Sequence, residues 1–217
     1  MQPAEQQSQP HATAALQAVG LECVRDERVL FRDLEFTLEG GQILQVQGRN
    51  GSGKTSLLRI LCGLALPTEG EVHWCGENIQ SARAEYYAEL AYLGHNHGVK
   101  GELTPVENLR MAQAMNRSKE MDLEEALALV GLRGFEDVPS RFLSAGQRRR
   151  VALARLLILD ASVWILDEPF TALDVHGVDY IESVLLDHKA RGGMVILTTH
   201  QPLRMDDSHV TRIHLGA

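Results

Sequence analysis

The chain has 217 residues, 44% of them hydrophobic and 23% charged, a length and composition that suit one domain with an insertion or two small ones and exclude a mostly disordered protein. With 21 Lys plus Arg against 29 Asp plus Glu and a formal net charge of −8, it lacks the basic excess of a duplex nucleic-acid binder. The richest apolar stretch, Val151–Leu166, is broken by Arg155 and Asp160, so nothing approaches the ~18 apolar residues that a membrane-spanning helix needs.

Met1–Thr13 is rich in Gln, Pro and Ala without an apolar core, and reads as a flexible leader rather than a secretory signal. Cys23, Cys62 and Cys75 form no C-x-x-C pair, which predicts buried small hydrophobes in a reducing, cytoplasmic compartment. Leu34, Phe36 and Leu38 alternate as in a half-buried strand, and Gly40-Gly41 turns the chain into a second strand, Ile43–Gln47. From Lys54 the spacing of Leu57, Leu58, Leu61 and Leu64 predicts a helix ended by Pro67. Short strands are expected at Glu71–Trp74 and Leu90–Leu93.

Pro105–Met115 and Asp122–Val130 read as amphipathic helices, the second stopped by Gly131. Few strand signals lie between Val99 and Phe142, which suggests a helical insertion within an α/β domain. The α/β pattern then returns. A helix from about Gly146 to Leu159 precedes a buried strand, Val163–Leu166; a helix carrying Val178, Ile181 and Leu185 precedes another, Met194–Leu197. The Arg148-Arg149-Arg150 run reads as a solvated or salt-bridged helix face.

Gly48-Arg49-Asn50-Gly51-Ser52-Gly53-Lys54-Thr55 fits G-x-x-x-x-G-K-[ST] between a strand and a helix. Glycines let backbone N–H groups curl around phosphate oxygens, and the helix N-terminus adds partial positive charge. Lys54 is expected at the β- and γ-phosphates of ATP and the Thr55 hydroxyl at Mg²⁺, with Ser56 following on the helix. Asp167 and Glu168 end the apolar strand: Asp167 is expected to hold Mg²⁺ through water, and Glu168 to polarise the attacking water. Two adjacent acids favour hydrolysis over transfer to a second substrate.

Leu143-Ser144-Ala145-Gly146-Gln147 starts a helix upstream of those acids, with Ser144 a good N-cap. With the phosphate loop, the acidic strand and His200 in this order, the chain resembles the ATP-binding subunit of ABC transporters over roughly residues 15–205. The resemblance implies an α/β fold: a P-loop NTPase core of mixed sheet flanked by helices, with an antiparallel β part and an inserted helical subdomain. The core would take 14–94 and 141–217, and the insertion, 95–140, would dock a membrane partner.

The resemblance also implies roles. Leu143–Gln147 matches the signature segment, with Ser144 and Gly146 contacting the γ-phosphate held by a second copy and Leu143 and Gln147 framing them. Thr171–Asp174 matches the segment that places Asp174 at the dimer interface, and His200 matches the histidine that touches the γ-phosphate. Asn96 stands where the family usually has a glutamine linking Mg²⁺ and water to the membrane side, one methylene shorter. Arg25 stands about where an aromatic usually stacks on adenine, and a guanidinium can stack on a base.

Leu143–Leu156, Trp164–Asp174 and Ile196–Leu203, with Gly94–Gly98 and Leu103–Leu109, resemble the cytochrome c biogenesis (haem export) branch of that family. That branch implies an ATPase peripheral to the cytoplasmic face of the bacterial inner membrane, partnered by CcmB with CcmC and CcmD. It would power haem export or release of a haem-loaded chaperone. His95 and His97 read as loop histidines near the nucleotide rather than haem ligands. Two alternatives stay open: a soluble ABC-type ATPase, which usually carries two cassettes, a long coiled coil or a basic surface, and a P-loop small-molecule kinase, which would not explain Leu143–Gln147 or His200.

Overall fold

A computed structural model describes residues 15–216, so the expected leader, 1–13, lies outside the described residues. An antiparallel hairpin of β1 (Ala15–Arg25) and β2 (Arg28–Glu39) is extended by β4 (Glu69–Trp74) and β5 (Glu77–Asn78) into a sheet of order β2-β1-β4-β5. A second, five-stranded sheet is wholly parallel, in the order β6-β7-β8-β3-β9. Its strands are β3 (Ile43–Gly48), β6 (Leu90–Leu93), β7 (Val163–Asp167), β8 (Met194–Thr198) and β9 (Val210–Leu215). The parallel and antiparallel strands expected of the core are thus distributed between two sheets.

Every residue of β7 and β8 is buried, which explains the apolar runs Val163–Leu166 and Met194–Leu197 ahead of their polar last residues: a parallel strand covered on both faces has no polar side. Alternate residues enter different cores. Val163, Ile165, Met194 and Ile196 join α1 (Lys54–Leu61) and the inner face of the antiparallel sheet. Trp164, Leu166, Val195 and Leu197 join a second core on the opposite face. That core holds α5 (Ala145–Ile158) and α6 (Val175–Ala190), together with α3 (Pro105–Met115) and α4 (Leu123–Leu129) from the segment 95–140.

Helix ends follow local chemistry. Thr104 and Glu107 form a capping box on α3 with Pro105 in the first turn; Asp122 caps α4; Ser144 and Gln147 box α5; Asp174 caps α6. A six-residue helix, α2 (Arg83–Ala88), precedes β6. The helix after the phosphate loop is shorter than its leucine spacing predicts. Gly63 (φ 67) takes the left-handed position beyond its end and bonds back to Ile60, so the helix stops at Leu61, ahead of Pro67, and Leu64 is 54% exposed.

One further expectation fails and another holds only in part. Cys75 is exposed, because it occupies the β4–β5 turn with φ 51; Cys23 and Cys62 are buried as expected. The arginine run is salt-bridged at Arg150, which pairs with Asp174, but Arg149 departs from the expected solvated or salt-bridged face. Arg149 is only 2% exposed and shares a helical side with Ala152, Leu153 and Leu156, all buried. Its neighbours are tied down too: Arg148 donates to Leu143 O at 2.5 Å, and Arg150 to Val130 O at 3.0 Å and Asp174 at 2.9 Å.

Candidate functional site

The carboxyl ends of β3, β7 and β8 lie side by side, the position where open parallel sheets hold ligands. The chain leaves β3 through Gly48 and Gly51 (φ 78) and enters α1 through Gly53 (φ 97). A Cβ on Gly53 would stand 2.9 Å from Leu30 Cβ, so the hairpin leaves no room there for a side chain. Among the helices of eight or more residues, α3, α5 and α6 have side-chain caps, whereas α1 has none. Its first N–H groups therefore remain open to an anion.

Lys54 Nζ folds over the loop and donates to Gly48 O at 2.8 Å and Arg49 O at 3.3 Å. Thr55 Oγ1 donates to Asp167 Oδ2 at 2.8 Å, which fastens the loop to the end of β7. Thr198 Oγ1, on β8, donates to Asp167 Oδ1 at 2.7 Å and accepts from Glu168 N–H at 3.0 Å. Both Asp167 oxygens are thus committed, and a single chain of hydrogen bonds joins Thr55, Asp167, Thr198 and Glu168.

Glu168 has a left-handed backbone (φ 52). Its Oε2 accepts from His200 N–H at 3.2 Å, and its Oε1 stands 3.5 Å from His200 Nε2. That Oε1 and Ser52 Oγ are buried atoms without a hydrogen-bond partner among the described residues. Orphaned polar atoms beside an uncapped helix start suit a polar ligand. Chemically, the cluster offers N–H donors and an ammonium for phosphate, hard oxygen donors for a small divalent cation, and a carboxylate aimed at a nearby imidazole.

The other expected residues lie differently. Ser144 is exposed, and its hydroxyl is engaged by Gln147 N–H at 3.1 Å within its own cap, while Gln147 Oε1 accepts from Ser144 N–H at 2.8 Å. Leu143 is buried in the helical core. A Cβ on Gly146 would stand 2.9 Å from Ala172 O, so glycine lets α5 approach the 171–174 segment. Asp174 bonds Gly177 N–H at 2.8 Å and Arg150 at 2.9 Å, and these two contacts hold its carboxyl below the usual range. Among the described residues, no hydrogen bond joins 143–147 to 48–55 of the same chain.

Arg25 and Asn96 are not brought to the cluster by any hydrogen bond, and both are exposed. Arg25 ends β1 at a two-residue turn, Asp26-Glu27, while the hairpin residues against the loop are Leu30 and Phe31. Beyond β6 it is His97, not Asn96, that turns inward, its Nδ1 3.3 Å from Arg149. Burial, then Arg149, lowers the His97 pKa. Thr198 and Arg149, both part of this cluster, are not among the site residues expected from the sequence. A threonine closing an apolar strand, and an arginine on the apolar side of a helix, were the available signals.

Fold and site define an ATP-binding cassette: a phosphate loop, two acids and a histidine at the carboxyl edge of a parallel sheet. The ABC transporter family matches residues 31–171, and the chain belongs to that family as one of its ATP-binding subunits, an ATPase. It is 55% identical over 192 residues to a cytochrome c biogenesis ATP-binding export protein, CcmA, of Methylococcus capsulatus, covering 88% of this chain and 93% of the relative. A protein of the same description from Photobacterium profundum is 52% identical over 209 residues, covering 90% and 97%. An ABC transporter ATP-binding protein from Pyrococcus furiosus superposes with a TM-score of 0.78 at 24% identity, covering 93% of this chain and 97% of that one. An ATP-binding cassette solved as a dimer in a post-hydrolysis state with ADP and Pi gives 0.75 at 20%, covering 93% and 97%. Both structures share the fold.

Proposed function

We propose that this chain is the ATP-hydrolysing subunit of an export complex for cytochrome c biogenesis, acting as two copies on a membrane partner. The observation that carries it is the hydrogen-bonded chain Thr55–Asp167–Thr198–Glu168, which ties the phosphate loop to both acids. Identity of 50% or more to export proteins of cytochrome c biogenesis supports the system.

The phosphates of ATP take the N–H donors of Gly48–Thr55, and Lys54 exchanges its two carbonyl contacts for the β- and γ-phosphates. Asn50, Gly51, Ser52 and Ser56 complete the cradle. Thr55 and Asp167 fit Mg²⁺, a cation that prefers one or two carboxylates, hydroxyl oxygens and phosphates to an all-protein cage. Once bound it would neutralise charge on the phosphates. Glu168 accepts a proton from the attacking water, and His200 orients that carboxylate and contacts the γ-phosphate. Arg25 stacks on the adenine, and Asn96 reaches the water around the phosphates.

Ser144 and Gly146 meet the γ-phosphate of the other copy, with Asp174 at the same interface. The 95–140 segment docks the membrane subunits, which by resemblance are CcmB with CcmC and CcmD, at the cytoplasmic face of the inner membrane. Among the described residues no helix is long and apolar enough to cross a membrane. Haem or a haem-loaded chaperone is the cargo.

Purification of the full chain from membranes tests the assignment. Membrane subunits should co-purify and raise ATP turnover, and the chain should leave the membrane fraction when the co-encoded permease is deleted. Recovery in the membrane fraction regardless of that deletion would contradict it.

A further inference from the structure

Among the described residues, the buried Arg149 guanidinium has no carboxylate partner. NH1 donates to Gly94 O at 3.0 Å and to His97 Nδ1 at 3.3 Å; NH2 donates to Asp167 O at 2.5 Å and Glu168 O at 2.6 Å; Nε finds no acceptor. Burial lowers its pKa to about 10, against the opposing pull of Asp167 and Glu168. Enclosing a cation is costly and is weak support for stability by itself. What this one achieves is geometric. Its fork spans two chain segments that are otherwise distant in sequence, a task for which a planar guanidinium suits and an ammonium does not.

The second observation is the Glu168 backbone. A non-glycine residue at φ 52 keeps that conformation only where its surroundings impose it. Thr198 fixes the N–H side, through its carbonyl at 3.2 Å and its hydroxyl at 3.0 Å, and Arg149 at 2.6 Å, with Thr171 N–H at 3.2 Å, fixes the carbonyl side. One helical turn or more further along α5, Arg155 donates to His97 O at 3.0 Å and Gly98 O at 2.7 Å, so the loop after β6 is fastened to α5 twice.

We propose that Arg149 is a positioning residue for hydrolysis, whose fork locks the Gly94–His97 loop to the Asp167–Glu168 peptide and so sets the direction of the Glu168 carboxylate. The placement of the acid thereby depends on the loop that leads from the parallel sheet into the 95–140 segment. This rests on the reading of Glu168 as the base.

The test compares ATP turnover per bound ATP, and the Kd for ATP, in the full chain and its variants. Arg149→Gln should lower kcat about tenfold or more with Kd within about twofold, because misplacing a reacting group by even 1 Å can cost about a hundredfold. Arg149→Lys should fare no better, since one ammonium cannot span both segments, and methylguanidinium should restore part of the Arg149→Ala turnover. In the Glu168→Gln background, Arg149→Gln should leave ATP-dependent dimerisation unchanged, a readout that general structural damage would spoil. His97→Ala, which leaves α5 intact, should reduce kcat about threefold without weakening ATP binding, and it serves if the Arg149 variants do not fold. Unchanged kcat in these variants, or loss of ATP binding in step with turnover, would overturn the proposal. Turnover lost in Glu168→Gln but kept in Arg149→Gln overturns this proposal alone; turnover kept in Glu168→Gln removes the base itself.

Discussion

The Thr198 hydroxyl reaches across from β8 to donate to Asp167 Oδ1 at 2.7 Å, while the two residues also face each other in the strand register. Thr198 is 0% exposed, so the contact is sealed from water. Thr198→Val preserves shape and removes the hydroxyl, leaving Asp167 Oδ1 without its partner and the Glu168 N–H with the Thr198 carbonyl alone. Stability should fall by about 1–3 kcal/mol, the usual cost of an unsatisfied buried group. ATP turnover should fall more steeply than the Tm suggests. Urea unfolding and steady-state hydrolysis on the same samples check both.

Gly53 is required for two reasons, its left-handed backbone and the 2.9 Å approach of Leu30 to any Cβ placed there. Gly53→Ala must therefore shift either the loop or the hairpin. ATP affinity, read by equilibrium dialysis, should drop about tenfold or more, since strain of 1–3 kcal/mol would fall on the phosphate cradle.

Ser144 has two duties that substitution can separate. Ser144→Ala removes the α5 cap, at a cost of about 1 kcal/mol. Ser144→Asp keeps a good cap but brings a negative charge to the point proposed to meet another copy's γ-phosphate. The Asp variant should match wild-type thermal stability and lose ATP-driven turnover. Equal turnover in Asp and wild-type chains would leave Ser144 a cap and nothing more.

His188 stacks on Trp164 with ring centroids 3.8 Å apart, and burial pushes its pKa down to about 4. Unfolded, the same ring takes up a proton near its ordinary 6.5. Below that pH the unfolded chain binds the extra proton. The stabilising contribution is therefore complete above pH 6.5 and is lost progressively as pH falls toward 4, by at most about 3 kcal/mol. His188→Phe keeps a flat ring against Trp164 without the proton, so its unfolding free energy should fall less between pH 7 and 4.5 than that of the wild type. Parallel curves in urea titrations would exclude His188 as a source of acid sensitivity.

The phosphate loop was legible because positive φ and close approach admit little but glycine, and the acids because they close an apolar run. The strands on either side of β8 were legible for the same reason. β1 was hidden by register shifts that break its alternation between Ala18 and Val24, and β9 by its place at the sheet edge, where half of its residues are exposed. Arg149 was misread because three adjacent charges suggest solvent, although its spacing from Ala152, Leu153 and Leu156 marks the inner side of α5. Arg25 and Asn96 had only position to recommend them, with no local chemistry that forces a contact, and the fold leaves both exposed.

In the proposed arrangement two copies enclose each nucleotide, with Glu168 of one and Ser144 of the other at its γ-phosphate. Light scattering on size-exclusion fractions of Glu168→Gln with ATP and Mg²⁺ tests it most directly. A dimer holding two unhydrolysed ATP molecules, which reverts to monomer when Ser144→Asp is added, is the predicted result. A monomer that retains ATP, or a variant that still turns it over, would contradict the account.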